Sequence, residues 1–179
     1  MFHPLTGVAG VFDDQMKGHE GPMACSILSQ EFYESDPSRG FVRGYGLHSG
    51  RSTTPMTFAL GGYGIDNPIP WGDAHREIMD RQYPYLAGLT IVTEDLPEED
   101  NCVTIDPDLT DSDGIPAPKI NYRLGENTRA MLRHGEARAR EVLLAAGARQ
   151  VLEKSDDKVW WRAGWHQMGT CRMGHDPET

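Results

Sequence analysis

The chain alternates short apolar runs with glycine- and proline-rich polar stretches, and only one segment holds a helical period for long. Within residues 126–146, Met131, Leu132, Gly135, Ala139, Val142, Leu143 and Ala146 recur at intervals of three and four. That spacing predicts a helix with one apolar stripe, and Gly147 supplies its C-terminal stop. A shorter helix is predicted from Gly72 or Asp73 to about Gln82, with Ala74, Ile78, Met79 and Gln82 on one face.

Leu89-Thr90-Ile91-Val92-Thr93 is the strongest strand signal, dense in β-branched residues. The acidic stretch over residues 94–101 reads as a turn, with Cys102-Val103-Thr104-Ile105 as the returning antiparallel partner. Further strands are predicted within residues 5–12, 23–33, 41–45, 120–124 and 150–153. Residues 13–22, Asp36-Pro37-Ser38-Arg39-Gly40, residues 106–118 and residues 155–158 read as connections. Residues 47–64, rich in Gly, Ser and Thr, read as a mobile loop or lid whose aromatic and polar residues face substrate. Strands and helices without strict βαβ alternation predict an α+β domain, with an antiparallel sheet backed by helices.

Composition narrows the class. At 179 residues the chain can build one hydrophobic core but not two large domains. A formal net charge of −10, with no basic stripe, argues against binding nucleic acid through its phosphates. No apolar run approaches the roughly 20 residues of a membrane span, and Met1-Phe2-His3-Pro4 lacks the features of a signal peptide. The 3 cysteines, Cys25, Cys102 and Cys171, are odd in number and far apart, which disfavours a disulfide framework. Compartment stays open.

Candidate chemistry concentrates near the C-terminus. His3, His19, His48, His75 and His134 have no neighbour that suggests a task, and His75 and His134 read as solvated or half-buried surface residues of helices. His166 follows Trp160, Trp161 and Trp165 and leads into Gly169-Thr170, where backbone can approach a ligand closely. An imidazole there can serve as general base near neutral pH. It reads equally well as a core histidine beside a tight turn. His166, Cys171 and His175 could hold zinc, but their spacing matches no common ligand pattern, and no metal site is expected. Cys171 reads as a small buried hydrophobe rather than a reactive thiol. The acidic runs Glu94-Asp95, Glu98-Glu99-Asp100 and Asp106 to Asp113 lack the ligand spacing of a calcium loop and read as solvated turns. No nucleophile elbow, phosphate-binding loop or dinucleotide fingerprint occurs in the sequence.

The run His166-Gln167-Met168-Gly169-Thr170-Cys171-Arg172-Met173-Gly174 closely resembles the His-x-x-Gly-Thr-x-x-Met-Gly segment of the glucose–methanol–choline (GMC) flavoprotein oxidoreductases. Thr93-Glu94-Asp95-Leu96-Pro97, then Val103-Thr104-Ile105-Asp106 and Asp113-Gly114-Ile115-Pro116-Ala117-Pro118, are similar to the opening of that family's C-terminal region. Glu31-Phe32-Tyr33-Glu34, Asp36-Pro37 and Arg39-Gly40-Phe41-Val42-Arg43-Gly44 are similar to a substrate-domain stretch of bacterial members. The resemblance implies FAD as cofactor and oxidation of an alcohol, sugar or sugar acid, with hydride leaving for the flavin. It implies His166 as the base, and Gly169 and Thr170 as residues packed at the cofactor. Residues 1–87 would then belong to the substrate-binding region and residues 88–179 to the C-terminal region. Electrons would pass on to oxygen, a quinone or a cytochrome partner.

The departures set further expectations. The family's flavin fingerprint does not occur ahead of His3, and its second catalytic His or Asn is not reached by Thr179. The chain is therefore expected to be part of a longer enzyme, and by itself neither to hold FAD tightly nor to turn over. The rival readings are a non-catalytic binding module or remnant, and a small zinc-stabilised protein.

Overall fold

A computed structural model describes residues 2–20, 27–50, 54–60 and 69–152, together with residues 166, 168, 169 and 175. Five strands form one sheet: β1 (Leu5–Val11), β2 (Leu28–Ser29), β3 (Tyr45–Gly50), β4 (Leu86–Thr93) and β7 (Gln150–Leu152). Their order is β2-β3-β4-β1-β7, and every neighbouring pair is antiparallel. Three helices pack around them, α1 (Pro55–Ala59), α2 (Asp73–Gln82) and α3 (Glu126–Ala145). A separate two-stranded hairpin is built from β5 (Cys102–Thr110) and β6 (Pro116–Asn121). This is the α+β architecture, an antiparallel sheet backed by helices, that the sequence pattern predicts.

Period-two alternation divides the sheet residues between two faces. Val8, Tyr45, Leu47 and Ile91 point to one side, where Met131, Ala139 and Leu143 of α3 close over them. Ala9, Val11 and Leu86 point to the other, against Phe58 of α1, Ile69 and Tyr83. Ile78 and Met79 of the predicted α2 stripe join that second cluster, whereas Ala74 is exposed. Burying apolar area at about 25 cal/mol per Å² is what holds both helical layers on the sheet. Along α3 the stripe is buried at Met131, Leu132, Gly135, Ala139 and Leu143, whereas Val142 and Ala146 are exposed. Gly147, with φ 96°, ends the helix as expected.

Several local expectations are corrected. The strong strand over residues 89–93 begins earlier, at Leu86, and does not pair with Cys102–Ile105. Both of its edges are taken by β1 and β3, whose registers bury Val8 and Leu47 beside Ile91. The short acidic turn signals a hairpin, but long-range burial decides the partner. Residues 102–110 pair instead with residues 116–121, a stretch whose first half reads as loop because of its prolines. Pro107, Pro116 and Pro118 are tolerated since, among the described residues, each strand of this ribbon has an unpaired outer edge. Asp111 closes the turn, its Oδ1 accepting from the amides of Asp113 and Ile115 at 2.9 Å each. The strand predicted over residues 120–124 stops at Asn121.

On the N-terminal side, residues 23–26 of the strand predicted over residues 23–33 lie outside the described residues; of the rest, Leu28–Ser29 form β2, and a turn follows in which the Tyr33 amide donates to the Gln30 carbonyl at 3.0 Å. Residues 41–43 are bent rather than extended, with Arg43 at φ 69°, and the strand starts at Tyr45. Of the expected loop over residues 47–64, residues 47–50 are part of β3 and residues 55–59 form α1. Thr54 caps that helix by accepting from the Thr57 amide at 3.1 Å, with Pro55 in its first turn. Residues 51–53 and 61–64 lie outside the described residues, as do residues 153–165 with their predicted turn.

Candidate functional site

The helices α1 and α2 cover only part of the outer sheet face. Farther along, the rows Leu5–Val92–Gly46 and Gly7–Thr90–His48 carry small side chains apart from His48, Leu5 and Val92. A cavity of about 540 Å³ opens there. Its floor includes Gly46, His48 and Val92, and its walls come from Phe2 and His3, the turn at Gln30 and Tyr33, residues 94–97, and Met168.

Packing at two points shapes those walls. The turn over residues 30–33 is laid against Gly44 so closely that a Cβ there would overlap the carbonyls of Phe32 and Tyr33. The Tyr45 amide donates to the Phe32 carbonyl at 3.1 Å, which fixes Gln30 and Tyr33 over the cavity. On the opposite wall Asp95 gathers three donors. It accepts from the Phe2 amide at 3.2 Å, Tyr122 Oη at 2.8 Å and Thr128 Oγ1 at 3.1 Å. Phe2 also stands edge-on to the Tyr122 ring, centroids 4.5 Å apart. Thr93 donates from both its amide and its hydroxyl to the Pro4 carbonyl. The start of the chain is thereby tied to the end of β4 and to the first turn of α3.

The charged groups on the cavity lining are Arg43, Glu94 and Asp95, which leaves a formal excess of negative charge. Arg43 pairs with Glu94 at 3.8 Å, and Asp95 is committed to its donors. Burial, then the Asp95 carboxylate, pushes the Tyr122 hydroxyl well above its ordinary range, so it stays a donor. Burial lowers the pKa of His48 below its ordinary value, favouring a neutral ring.

Of the sequence-predicted site residues, His166 lies against one residue of the cavity wall, His3. The exposed His166 ring meets His3 edge-on, centroids 5.3 Å apart and planes at 83°. His3 and Met168 both line the cavity. Gly169 has φ 86°, a conformation that favours glycine and leaves its backbone bare. Thr170 and Cys171 lie outside the described residues; His175 is exposed. Among the described residues no cluster of His, Cys, Asp and Glu is arranged to hold a metal.

Two residues given no task by sequence reasoning, His3 and His48, are on the cavity wall. A signal for His48 was present: it shares the non-core parity of Gly46 and Gly50 in β3, a lone imidazole on a glycine-lined strand face. His3 gave none, because its neighbour His166 is distant in sequence. His134 is half-buried, as one of the expected alternatives had it, with Nδ1 2.8 Å from Tyr45 Oη. His75 stacks on the exposed Trp71, rings 5.2 Å apart, in keeping with a surface position.

Comparison with known proteins decides the family. The profile of the GMC oxidoreductases matches residues 97–179, a stretch that includes the His166 segment. The chain belongs to the GMC oxidoreductase family. Over 180 residues it is 39% identical to a 2-methyl-1,2-propanediol dehydrogenase of Mycolicibacterium austroafricanum, an alignment covering 99% of this chain and 32% of that enzyme. Over 86 residues it is 36% identical to a 6'''-hydroxyparomomycin C oxidase of Streptomyces lividus, covering 48% of this chain and 15% of that protein. The chain thus spans about a third of the first relative and less of the second. Membership in the GMC family accounts for the shared His-x-x-Gly-Thr segment. Among the described residues no helix is long and apolar enough to cross a membrane.

Proposed function

We propose that this chain forms the substrate-binding part and the opening of the C-terminal region of an FAD-dependent oxidoreductase acting on the CH–OH group of a small alcohol or sugar. The observation that carries the reading is the position of His166, edge-on to His3 beside a cavity on the open face of the sheet. Membership in the family, and relatives whose names denote a diol dehydrogenase and an oxidase, support the reaction class.

In this reading His166 takes the proton of the substrate hydroxyl as the C–H bond is broken. His3 limits the rotation of its ring, and Met168 excludes water from one side. Bound flavin supplies the hydride acceptor. The bare backbone of Gly169 suits close approach by a flat ring, and Thr170 is assigned to the same edge. The residues present fit one wall of the flavin and not its diphosphate, because the sequence has no glycine-rich strand–turn–helix to cradle phosphates. The division into a substrate-binding region up to residue 87 and a C-terminal region from residue 88 belongs to this proposal.

The test uses the full-length product of the reading frame that carries this chain. His166→Ala should lower its turnover on alcohols more than about a hundredfold, from the usual contribution of a general base, with folding and flavin content retained. Near-normal turnover in that variant removes His166 from the mechanism. The purified 179-residue chain should carry no stoichiometric flavin, read from its visible absorbance.

A further inference from the structure

Asp95 lies on the cavity wall just beyond the end of β4, and its carboxylate joins three separate parts of the chain. Oδ2 accepts from the Phe2 amide at 3.2 Å and from Tyr122 Oη at 2.8 Å, and Oδ1 accepts from Thr128 Oγ1 at 3.1 Å. Thr128 is buried in the first turn of α3, so the helix in turn fixes the carboxylate. The Phe2 ring also meets Tyr122 edge-on, and the Tyr122 hydroxyl is held by Asp95. Among the described residues both of these holds on Phe2 run through one side chain.

Phe2 is joined to His3, whose ring stands 5.3 Å from that of His166. On the other side of His3, Pro4 is buried, and its carbonyl accepts from the amide and hydroxyl of Thr93 at 3.0 and 2.8 Å. That second anchor and the β1–β4 ladder do not involve Asp95. Loss of the carboxylate would therefore release residues 2 and 3 and leave the sheet in place. We propose that Asp95 is a positioning residue for the base: by holding the Phe2 amide it keeps the His3 ring against His166. Each of its oxygens already accepts a hydrogen bond from the chain, which sets it apart from a residue that binds substrate. The inference rests on the oxidoreductase reading above for its effect on turnover, but the contact can be tested without turnover.

The first arm is NMR on the 179-residue chain, reading the nuclear Overhauser contact between the ring protons of His3 and His166. Asp95→Ala should abolish it, while the Ile91 amide of β4 keeps its protection from exchange. In Asp95→Asn one oxygen can accept from Phe2 and Tyr122 while the side-chain amide donates to the Thr128 hydroxyl, so the contact should persist. Should Asp95→Ala fail to fold, two changes at Phe2 decide. Phe2→Pro removes the donated amide and should abolish the contact, whereas Phe2→Ala keeps the amide and should retain it. A contact that survives Asp95→Ala or Phe2→Pro, is lost in Asp95→Asn or Phe2→Ala, or is absent from the unaltered chain overturns the proposal.

The second arm uses the full-length product. Asp95→Ala should lower kcat by up to about tenfold, the scale of one edge-to-face ring contact, with KM little changed. Asp95→Asn should lose less. In a His3→Ala background Asp95→Ala should cost less than about twofold more, because two residues that act through one contact are not additive. Equal losses in the two backgrounds mean that Asp95 does not act through His3, and overturn the assignment. A full-length protein that oxidises no alcohol sinks the oxidoreductase reading, while the NMR arm still decides whether Asp95 holds the histidine pair.

Discussion

His3 meets His166 edge-to-face at 5.3 Å, so a residue at the start of the chain sets the orientation of the proposed base near its end. The link is indirect but continuous. Asp95 anchors the Phe2 amide, the Pro4 carbonyl is anchored by Thr93, and His3 stands between these two fixed points.

This relationship predicts an effect of His3 on turnover without a role in proton transfer. Edge-to-face ring contacts contribute about 0.5–1.5 kcal/mol, so His3→Ala should lower kcat/KM of the full-length product by up to about tenfold. His3→Phe, which keeps a ring edge, should lose less. If alanine and phenylalanine variants behave alike, ring contact is not what His3 provides.

The fit of α3 on the sheet makes a stability prediction. A methyl at Gly135 would lie 2.6 Å from Ile91 Cγ2 and 3.3 Å from Tyr45 Cε2, in a fully packed layer. Gly135→Ala gains up to about 1 kcal/mol of helix propensity but overpacks the interface, at about 1–3 kcal/mol. The net expectation is a loss of up to about 2 kcal/mol in urea unfolding. A more stable variant would show that α3 rides over the sheet with room to spare.

The Tyr45–His134 pair predicts the acid side of the stability profile. Burial first, then Arg138 and Arg39, lowers the His134 pKa, and burial pushes the Tyr45 hydroxyl up to about 12. Tyr45 therefore donates to a neutral imidazole at 2.8 Å. The unfolded chain takes up a proton at this position as pH falls below about 6.5, whereas the folded protein resists until lower pH. Stability is thus complete above that value and is lost as pH falls through the depressed folded pKa. His48 shifts in the same direction and adds to the loss. Urea midpoints at about pH 7.5 and 5.5 should differ less in His134→Gln than in the unaltered chain. An equal difference in both would mean that His134 does not contribute to the slope.

The elements with a clear local period were readable in the sequence. Residues 73–82, 126–145 and 5–11 carry their own stripe or alternation, and each forms where it is expected. Strand partners were not readable. Ile91 pairs with Thr6 and Leu47, which lie far away in sequence, and only the shared burial of the sheet face selects them. The prolines of residues 107–118 hid a ribbon because a proline rule for interior strands does not apply to free edges. At the proposed site, His166 was singled out through its segment. The cavity and its partners His3 and His48 depend on tertiary approach, which no local pattern encodes.

The β5–β6 hairpin is the part of the fold expected to open first. Among the described residues its strands pair only with each other, and Val103, Ile105 and Ile120 share a face left 48%, 69% and 62% exposed. A lone two-stranded ribbon buries too little to be stable by its own packing. What holds it is its base, where Asn101 donates to the Arg123 carbonyl at 3.0 Å and accepts from the Arg123 amide at 2.8 Å. Asp100 and Glu98 add ion pairs to the Arg123 guanidinium, which is exposed enough that each contributes little. Cross-strand amides of residues 103–120 should therefore exchange with solvent on the order of a hundredfold faster than those of β4, whose two edges are both paired. Asn101→Ala should accelerate the hairpin further and leave β4 unchanged. Protection of the Val103 and Ile120 amides equal to that of Ile91 would mean that the hairpin unfolds only with the whole sheet.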